Sequence, residues 1–592
     1  MNFLRLTEDT IRQQATVASY EKGLEYYEND AVLSIVLRGK ILHAEVEGSQ
    51  YPPYQVQVKF DVENVDEASC DCPYDWGGWC KHIVAVLLTC IHDPEMIEQR
   101  KSLESKLSNL SREDLLILLT SLLEMNPKLI NQVEGQISLF QPCEETEENV
   151  VEKRIDPAPF RRQVRDVLHS LDHMRSSEAY WQVGNVVSEV SQVLNQVHTL
   201  VKTGGGSNAL SILEGITNEY IQGWLYLDDS DGYAGGFFSD LGQVWTEAIL
   251  SVDLTTEERK YWADQLTIWQ TEVEEYGIDD VFETAQAVAL QSWDNSMFEA
   301  ILEGKILDMP EFSFGESWYF DSLITAQLNV LEYQERYQEF LSLSKAMGKT
   351  ARYLTMLVHL DRIKDAVEYG KDNLSSAEDV FVFSKALQET GEAKLALEIA
   401  EHGLRFQGFS LHPLASWLRD LAIQEKESAL ALRAGKVAFK EQPALGDYLL
   451  VCELAAEKWP EVRLDLLEHL LHYEKWGATS GKLDIFLYEG MVSEAMKIAD
   501  TENLYYDTLE RVVDAAIQAH PKWAIKHSKQ QAEAIMNPGK SKYYHHAIKW
   551  LSKTKAAYEA AEQEVEWQVY LSGLISDHAK KYKLKPMLEV LK

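Results

Sequence analysis

Four of the six cysteines of this chain lie between Cys70 and Cys90, and a histidine stands among them. The order is Cys70-x-Cys72, seven residues, then Cys80-x-His82, so two pairs of metal-ligand side chains flank a loop that contains two adjacent glycines. Three thiolates and one imidazole make a complete tetrahedral shell for Zn²⁺, with no position left open for a substrate water. A fold that contains this segment must therefore bring both ends of the loop to one point.

Other chemistries of clustered thiols fit this spacing less well. The N-terminal residues lack the basic and apolar regions of a secretory signal, and structural disulfides are unusual in a reducing compartment. A redox pair would have the order Cys-x-x-Cys before a helix, and a single nucleophilic cysteine would leave the other thiols unexplained. Cys90 lies eight residues beyond His82, so we expect it to be buried and not to bind the metal. We predict a soluble, cytoplasmic protein without a membrane segment that binds one structural zinc ion.

Secondary-structure signals around the cluster predict an α+β zinc module over residues 1–95. Residues 7–30 are predicted to form one amphipathic helix with Thr7 as its N-cap. Residues 31–48 are predicted to form two strands, and residues 54–62 alternate apolar and polar side chains as in a half-buried antiparallel strand. The apolar run that follows the cluster predicts a helix. The predicted order is therefore helix, small antiparallel sheet, zinc loop and helix.

The segment "CDCPYDWGGWCKH", residues 70–82, resembles the SWIM-type zinc finger, including the Cys-Pro after the second ligand and the closing Cys-Lys-His. The upstream "SYEKGLEYYENDAV" resembles the segment before the finger in bacterial members with a long C-terminal helical region. The resemblance covers roughly residues 1–95. It implies one zinc per module and a role in DNA binding or in protein–protein contact.

Beyond Ser102 the strand signals nearly disappear. Residues 96–140 are predicted to form a short helical segment, residues 141–158 an acidic linker and residues 159–330 a helical domain. Residues 331–592 contain small-then-apolar pairs about every 32 residues, which is typical of stacked, solenoid-like helix pairs of the tetratricopeptide type. An irregular helical array with alanine-rich packing faces is the alternative. The pairs begin at Ala366, Ala396, Ala431, Ala495, Ala524 and Ala556, with a missing member expected near Val462.

Two further stretches match ligand sites only in part. Asp228, Asp229 and Asp231 precede a glycine, but the glutamate that a calcium loop carries six residues later is absent. A Gly-Lys-Thr sequence at residues 348–350 lacks the first glycine of a phosphate-binding loop. Since no other catalytic motif is evident, we predict a protein without enzymatic activity.

Charge favours a protein partner over nucleic acid. Lys and Arg number 56 against 95 Asp and Glu, a net charge of −39, and the first hundred residues contain eight basic and 17 acidic side chains. Such a surface repels phosphate. Within the motif, Tyr74, Trp76, Trp79 and Lys81 are the candidate interaction residues. The aromatic rings could stack on unpaired bases, shield the zinc thiolates or anchor a protein contact. We therefore predict a zinc-stabilised interaction scaffold, with DNA or single-strand binding through the zinc module as the alternative.

Overall fold

The computed structural model describes most of the 592-residue chain, and all structural statements below concern this part. The described residues are 6, 8–48, 53–60, 65–72, 78–100, 106–127, 129–140, 145–146, 149–150, 154–172, 174–175, 179–291, 293–294, 296–305, 318–474, 479–502, 504 and 506–592.

A small α/β module forms the N-terminal part of the fold. Its elements in chain order are α1 (Glu8–Gln14), α2 (Val17–Glu28), β1 (Val32–Arg38), β2 (Ile41–Val46), β3 (Tyr54–Phe60), β4 (Val65–Cys70), α3 (Lys81–His92) and β5 (Ile97–Arg100).

The N-terminal helical segment contains two helices, so the prediction of one continuous helix is wrong. The Thr16 side chain accepts a hydrogen bond from the Ser19 backbone N–H at 3.2 Å and so begins α2 as its N-cap. Ala15 forms an isolated bridge with Trp79 in the zinc loop. The backbone therefore leaves the helix at Ala15, where it pairs with a distant segment, and a new helix begins at the local cap. Thr7 lies outside the described residues.

The sheet has the strand order β4-β3-β2-β1-β5. The first three strands pair antiparallel, as predicted. β4, which was not predicted, adds antiparallel to β3, and β5 adds to β1 in parallel, with Ile97 opposite Ile35. The sheet is therefore mixed. β5 has only one buried side chain, Ile97, so its sequence carries no alternating signal. β3 alternates as predicted, since Val56, Val58 and Phe60 are buried.

Helix α3 packs between α2 and the inner face of the sheet. Its residues from His82 to Cys90 are all buried, and Cys90 is 1% exposed, as expected for an apolar core position. α2 approaches α3 closely because Gly23 has no side chain. A Cβ atom at this position would lie 2.4 Å from Val84 Cγ1 and 2.9 Å from the Lys81 carbonyl oxygen.

The remainder of the described chain is helical apart from a two-stranded pairing of Glu145–Thr146 with Asn149–Val150. Its α-helices are Arg112–Met125, Leu129–Phe140, Ala158–Leu168, Val183–Lys202, Gly206–Gly223, Tyr233–Leu250, Thr256–Glu274, Glu283–Gln291, Ser296–Leu302, Trp318–Tyr333, Tyr337–Ala346, Thr350–His359, Ile363–Asn373, Ala377–Glu389, Ala393–Gly403, Leu411–Gln424, Ser428–Glu441, Leu445–Ala455, Trp459–Leu471, Thr479–Tyr488, Val492–Thr501, Tyr506–Ala519, Pro521–Met536, Tyr544–Ala560, Glu564–Asp577 and Leu584–Glu589.

Alternate helices of the C-terminal region carry the predicted repeat. Ala366, Ala396, Ala431, Ala495 and Ala524 are each the fourth residue of a helix, and all are fully buried. Val462, the expected missing member, is the fourth residue of the helix Trp459–Leu471 and is 8% exposed. The pair at Ala556 is an exception, because it lies near the end of the helix Tyr544–Ala560 and not at the beginning of one. Small buried residues at a recurring position allow neighbouring helices to pack closely.

The hydrophobic cores of the helical region follow one another along the chain. Successive clusters span residues 160–330, 298–434, 439–512 and 509–591. Helices contact the next helix in sequence and, in several cases, the one after it. This nearest-neighbour packing is that of a solenoid-like array and confirms the predicted fold class.

The helix Arg112–Met125 differs from the others because it buries none of its residues. Its apolar side chains are exposed, among them Leu116, Ile117 and Met125. Ser111 begins this helix as its N-cap, since its hydroxyl accepts a hydrogen bond from the Asp114 backbone N–H at 3.1 Å.

Candidate metal centre

Strand β4 delivers the first two candidate ligands. Cys70 is its last residue and lies opposite Val56 on β3. One residue later the pairing continues through Asp71, whose backbone N–H donates to the Gln55 carbonyl at 3.2 Å. The Asp71 carboxylate accepts the Gln55 N–H at 2.8 Å. These bonds fix the chain as it leaves the sheet, so Cys72 follows Cys70 at a defined turn.

The beginning of α3 supplies the other two ligands. Cys80 is the N-cap residue, with extended backbone, and its carbonyl accepts the Val84 N–H at 3.1 Å. The loop before it is held against the end of α1, because the Trp79 N–H donates to the Gln14 carbonyl at 2.7 Å. Gly78 makes this approach possible: its φ is +71°, and a Cβ there would lie 2.5 Å from the Gln14 oxygen.

The structure brings the four side chains together. The ligand atoms of Cys70, Cys72, Cys80 and His82 all lie within 4.8 Å of one another. The His82 Nδ1 atom is 3.6 Å from Cys70 Sγ and 4.0 Å from Cys80 Sγ. In a tetrahedral site with ordinary zinc–sulfur and zinc–nitrogen bonds the corresponding separation is about 3.6 Å. The donor set therefore fits a four-coordinate ion with His82 bound through Nδ1.

Two tyrosines enclose the His82 imidazole, which is 2% exposed. Tyr54 of β3 stacks on it with ring centroids 4.4 Å apart, and Tyr26 of α2 meets it edge to face at 5.3 Å. The Nε2 atom is buried and has no hydrogen-bond partner among the described residues. Aromatic packing therefore fixes the ring with Nδ1 toward the thiols.

Crowding of the thiols opposes their ionisation in the metal-free chain. Contacts with Cys72 and Cys80, together with burial, raise the pKa of Cys70. The contact with Cys70 lowers the pKa of Cys80, but the contact with Cys72 and burial outweigh it and raise that pKa to about 11. A bound divalent cation reverses this preference, since thiolates are the ligands and metal binding releases their protons.

The predicted interaction residues have different surroundings. Lys81 is half-buried, and its ammonium donates to the Tyr26 hydroxyl at 2.8 Å while lying 4.4 Å from the centre of that ring. Trp79 is half-buried and packs against the core of the module. Tyr74 and Trp76 lie outside the described residues.

Sequence reasoning did not identify Gly23, Tyr26 and Tyr54 as supports of the site. Their only sequence signals are a glycine inside a predicted helix and aromatic residues in a helix and a strand. Neither signal indicates a contact with residues some 30 to 60 positions away.

The aspartate-rich turn has a structural role. The Asp229 carboxylate accepts the backbone N–H groups of Ala234 at 2.6 Å and Gly235 at 2.8 Å, in the first turn of the helix Tyr233–Leu250. It thus satisfies donors at a helix N-terminus. Lys349, from the Gly-Lys-Thr sequence, forms an ion pair with Asp321.

Comparison with known families confirms the resemblance found in the sequence. Residues 54–91 match the family model of the SWIM zinc finger, a stretch that spans β3, β4, the loop and nearly all of α3. The match and the Cys/His cluster together indicate a zinc-binding module.

One solved structure that is similar to this chain is described as "Circular tandem repeat protein with novel repeat topology and enhanced subunit contact surfaces". The similarity covers 73% of this chain and 94% of that chain. The sequence identity is 14% and the TM-score 0.17. A TM-score this low does not indicate a shared fold, so that description says nothing about this chain. Within the described residues, no helix combines the length and the apolar character that crossing a bilayer requires.

Proposed function

We propose that this protein is a non-enzymatic interaction scaffold in which one structural Zn²⁺ is bound by Cys70, Cys72, Cys80 and His82. The zinc-held module and the helical array together bind a protein partner. The convergence of the four ligand atoms within 4.8 Å carries the proposal.

Zinc is the ion that this donor set favours. Thiolates are soft ligands that select zinc over magnesium or calcium, and a Cys₃His set completes its tetrahedral shell. Four protein ligands leave no open position for a substrate, and Cys80 and His82 are nearly inaccessible to solvent. These properties are those of a structural site, in which metal binding and folding are coupled.

A protein partner is favoured by charge and by architecture. Stacked helix pairs present extended surfaces that are commonly used to bind other proteins. The net charge of −39 opposes the clustered phosphate contacts on which nucleic-acid affinity depends. Lys81, the basic residue of the zinc motif, already donates to Tyr26.

Metal content tests the zinc site. We expect one zinc per chain in the purified protein and none in Cys72→Ser, measured by native mass spectrometry and elemental analysis. Cys90→Ala is the matched control, because it removes a buried thiol from the same module but lies outside the ligand cluster. Full zinc occupancy in Cys72→Ser, or loss of zinc in Cys90→Ala with the fold retained, would contradict the assignment.

Partner class is tested with the intact protein. Proteins that co-purify from the native cell with the wild type are compared with those that co-purify with Cys72→Ser. Binding to duplex and single-stranded oligonucleotides is measured at about 0.15 M salt. We expect weak or no nucleic-acid binding. Submicromolar oligonucleotide binding that is lost on Lys81→Ala would show that the partner is a nucleic acid and not a protein.

A further inference from the structure

Positive charge is concentrated in one short part of this acidic chain. Residues 521–560 contain eight lysines and two acidic residues, whereas the whole chain has a net charge of −39. This segment forms the helices Pro521–Met536 and Tyr544–Ala560 and the loop between them. A cationic surface of this kind attracts anionic ligands that the rest of the protein repels.

A pocket of about 400 Å³ lies at this helical hairpin. Ala534, Ile535 and Pro538 supply apolar lining, and Tyr506 and Tyr543 add aromatic rings. The volume is within the range of pockets that hold a small ligand or a single large side chain. Its apolar lining favours an uncharged aromatic or aliphatic group in the pocket itself.

The pocket has a cationic side chain, Lys540, in its lining. Lys540 and His546 line it directly, and no acidic residue belongs to its lining in the described part of the chain. Lys542 is exposed next to it, with its ammonium 4.6 Å from the centre of the Tyr543 ring. Lys540 lines the pocket and Lys542 lies in the short turn Ser541–Tyr543 directly after it, so both charges are close to the pocket.

Two other lysines of the segment, Lys549 and Lys553, are neutralised within the fold. Lys549 and Lys553 both pair with Glu510 at 2.9 Å, and Lys553 also pairs with Asp514. The pocket lysines differ because the structure gives neither Lys540 nor Lys542 an ion pair among the described residues. The positive charges of Lys540 and Lys542 are therefore not neutralised by an ion pair, and they lie beside an apolar pocket.

We propose that this pocket binds an acidic segment of a protein partner, with one aromatic or large aliphatic side chain of that segment inserted as an anchor. This inference rests on the proposed function, because it names the partner's chemistry. Carboxylates on both sides of the anchor meet Lys540 and Lys542, and the anchor buries its apolar surface against Ile535 and Pro538.

A peptide fits these features better than a nucleic acid does. A nucleobase would place polar edges against Ala534, Ile535 and Pro538, whose side chains offer no hydrogen-bond partner. A long phosphate backbone would also be repelled by the net charge of −39 of the whole chain. A short acidic segment needs only the local positive charge.

Binding is measured by fluorescence anisotropy with the full-length, zinc-loaded protein and a labelled nonapeptide that has four glutamates on each side of one phenylalanine. Matched peptides carry serine in place of phenylalanine, or lysines in place of the glutamates. We expect the phenylalanine peptide to bind at least tenfold more tightly than the serine peptide, and the lysine peptide not to bind. Higher salt should weaken the binding.

Variants locate the site. Lys540→Glu with Lys542→Glu should weaken peptide binding at least tenfold. The matched control is Lys522→Glu with Lys526→Glu, which changes the net charge by the same amount. Both residues lie on the same helical hairpin, about 12–18 Å along the helix from Ala534. This variant should weaken peptide binding less than threefold. Ala534→Trp fills the pocket from an exposed helix position and should abolish the preference for phenylalanine over serine.

Equal weakening by the two charge-reversal variants, or equal binding of the phenylalanine and serine peptides, would overturn the proposal. Tighter binding of a 20-nucleotide single strand that displaces the peptide would assign the site to nucleic acid instead. If the peptide does not bind but a partner still co-purifies with the Lys540→Glu/Lys542→Glu variant, this inference fails and the proposed function stands. If no protein co-purifies even with the wild type while the peptide binds as expected, the proposed function fails and the pocket's specificity stands.

Discussion

The zinc module and the helical array differ in how far along the chain their contacts extend. In the module, Lys81 bonds to Tyr26, 55 residues away, and the core combines side chains from residue 11 to residue 97. In the helical array of residues 298–591, each cluster of buried residues combines helices that are close in the chain, and each cluster adjoins the next one. The module therefore depends on long-range contacts within one core and at one metal site, while the array distributes its stability over many local ones.

This difference predicts how each region responds to a destabilising change. Loss of a single ligand in the module removes the metal that joins the end of β4 to the beginning of α3, and all elements of the module share one hydrophobic core. Damage to one helix pair of the array leaves the intrinsic stability of distant pairs unchanged, because they do not contact it. The predictions below run from the largest expected effect to the smallest.

Removal of zinc should produce the largest difference in stability between the two regions. A chelator should abolish hydrogen-exchange protection in β3 and α3, because metal binding supplies much of the folding free energy in such sites. Amides of the helices Leu411–Gln424 and Tyr544–Ala560 should keep their protection. Protection retained in β3 without metal, or lost throughout the array, would contradict the contrast between the two regions.

Substitution of Gly23 should weaken the module without touching a ligand. In Gly23→Val the new side chain overlaps Val84 and the Lys81 carbonyl and pushes α2 away from α3. We expect a loss of about 3 kcal/mol and a lower zinc affinity in competition with a chelator. Gly184→Val is the matched control, since nothing lies within 4 Å of a Cβ there; its effect should stay within about 0.5 kcal/mol. Equal effects at both positions would show that α2 does not support the site.

Overpacking in the array should have a smaller and local effect. Ala431 is fully buried and Ala429, on the same helix, is exposed. Ala431→Leu should cost about 2 kcal/mol, whereas Ala429→Leu should stay within about 0.5 kcal/mol. Hydrogen exchange should increase only in helices adjacent to Ser428–Glu441, and zinc content should not change. Faster exchange in the zinc module would contradict the independence of the two regions.

The features that could be predicted from sequence are those set by local spacing. Cys70, Cys72, Cys80 and His82 follow the pattern of a zinc loop, and the structure brings them together. The repeat was also predictable, because the fourth residue of alternate helices is small or apolar in each unit. Such periodic signals depend on residues within one helix pair.

The features that were missed depend on pairing between distant segments. The helix break at Ala15 follows from its bridge to Trp79, and β5 forms because Ile97 can pair with Ile35. Neither residue carries a local signal for these contacts. The enclosure of His82 by Tyr54 is of the same kind, since it requires the register of the sheet relative to α3.

A buried carboxylate in the helical region before this array, where hydrogen bonds also join distant residues, gives the smallest and most specific test. The Glu247 side chain is fully buried and accepts hydrogen bonds from His198 Nε2 at 2.7 Å and Asn329 Nδ2 at 2.8 Å. Burial raises the pKa of Glu247, but these bonds, with His198 first, outweigh burial and hold that pKa below its ordinary value. The three helices that supply these side chains are thereby joined.

The sign of the pH dependence follows from this shift. A carboxyl group whose pKa is lower in the folded chain stabilises the fold above its unfolded pKa, and this stabilisation is lost as the pH falls through the folded value. Glu247→Gln should therefore cost about 1.5 kcal/mol at neutral pH, and the difference from the wild type should shrink below about pH 4. Thermal unfolding of both chains at several pH values measures it, with Asp240→Asn, at an exposed position of the same helix, as control. Acid also protonates the zinc ligands, but equally in both chains, so the difference reports on the helical region alone. A difference that stays constant or grows toward low pH would show that the charge of Glu247 does not stabilise this helical region.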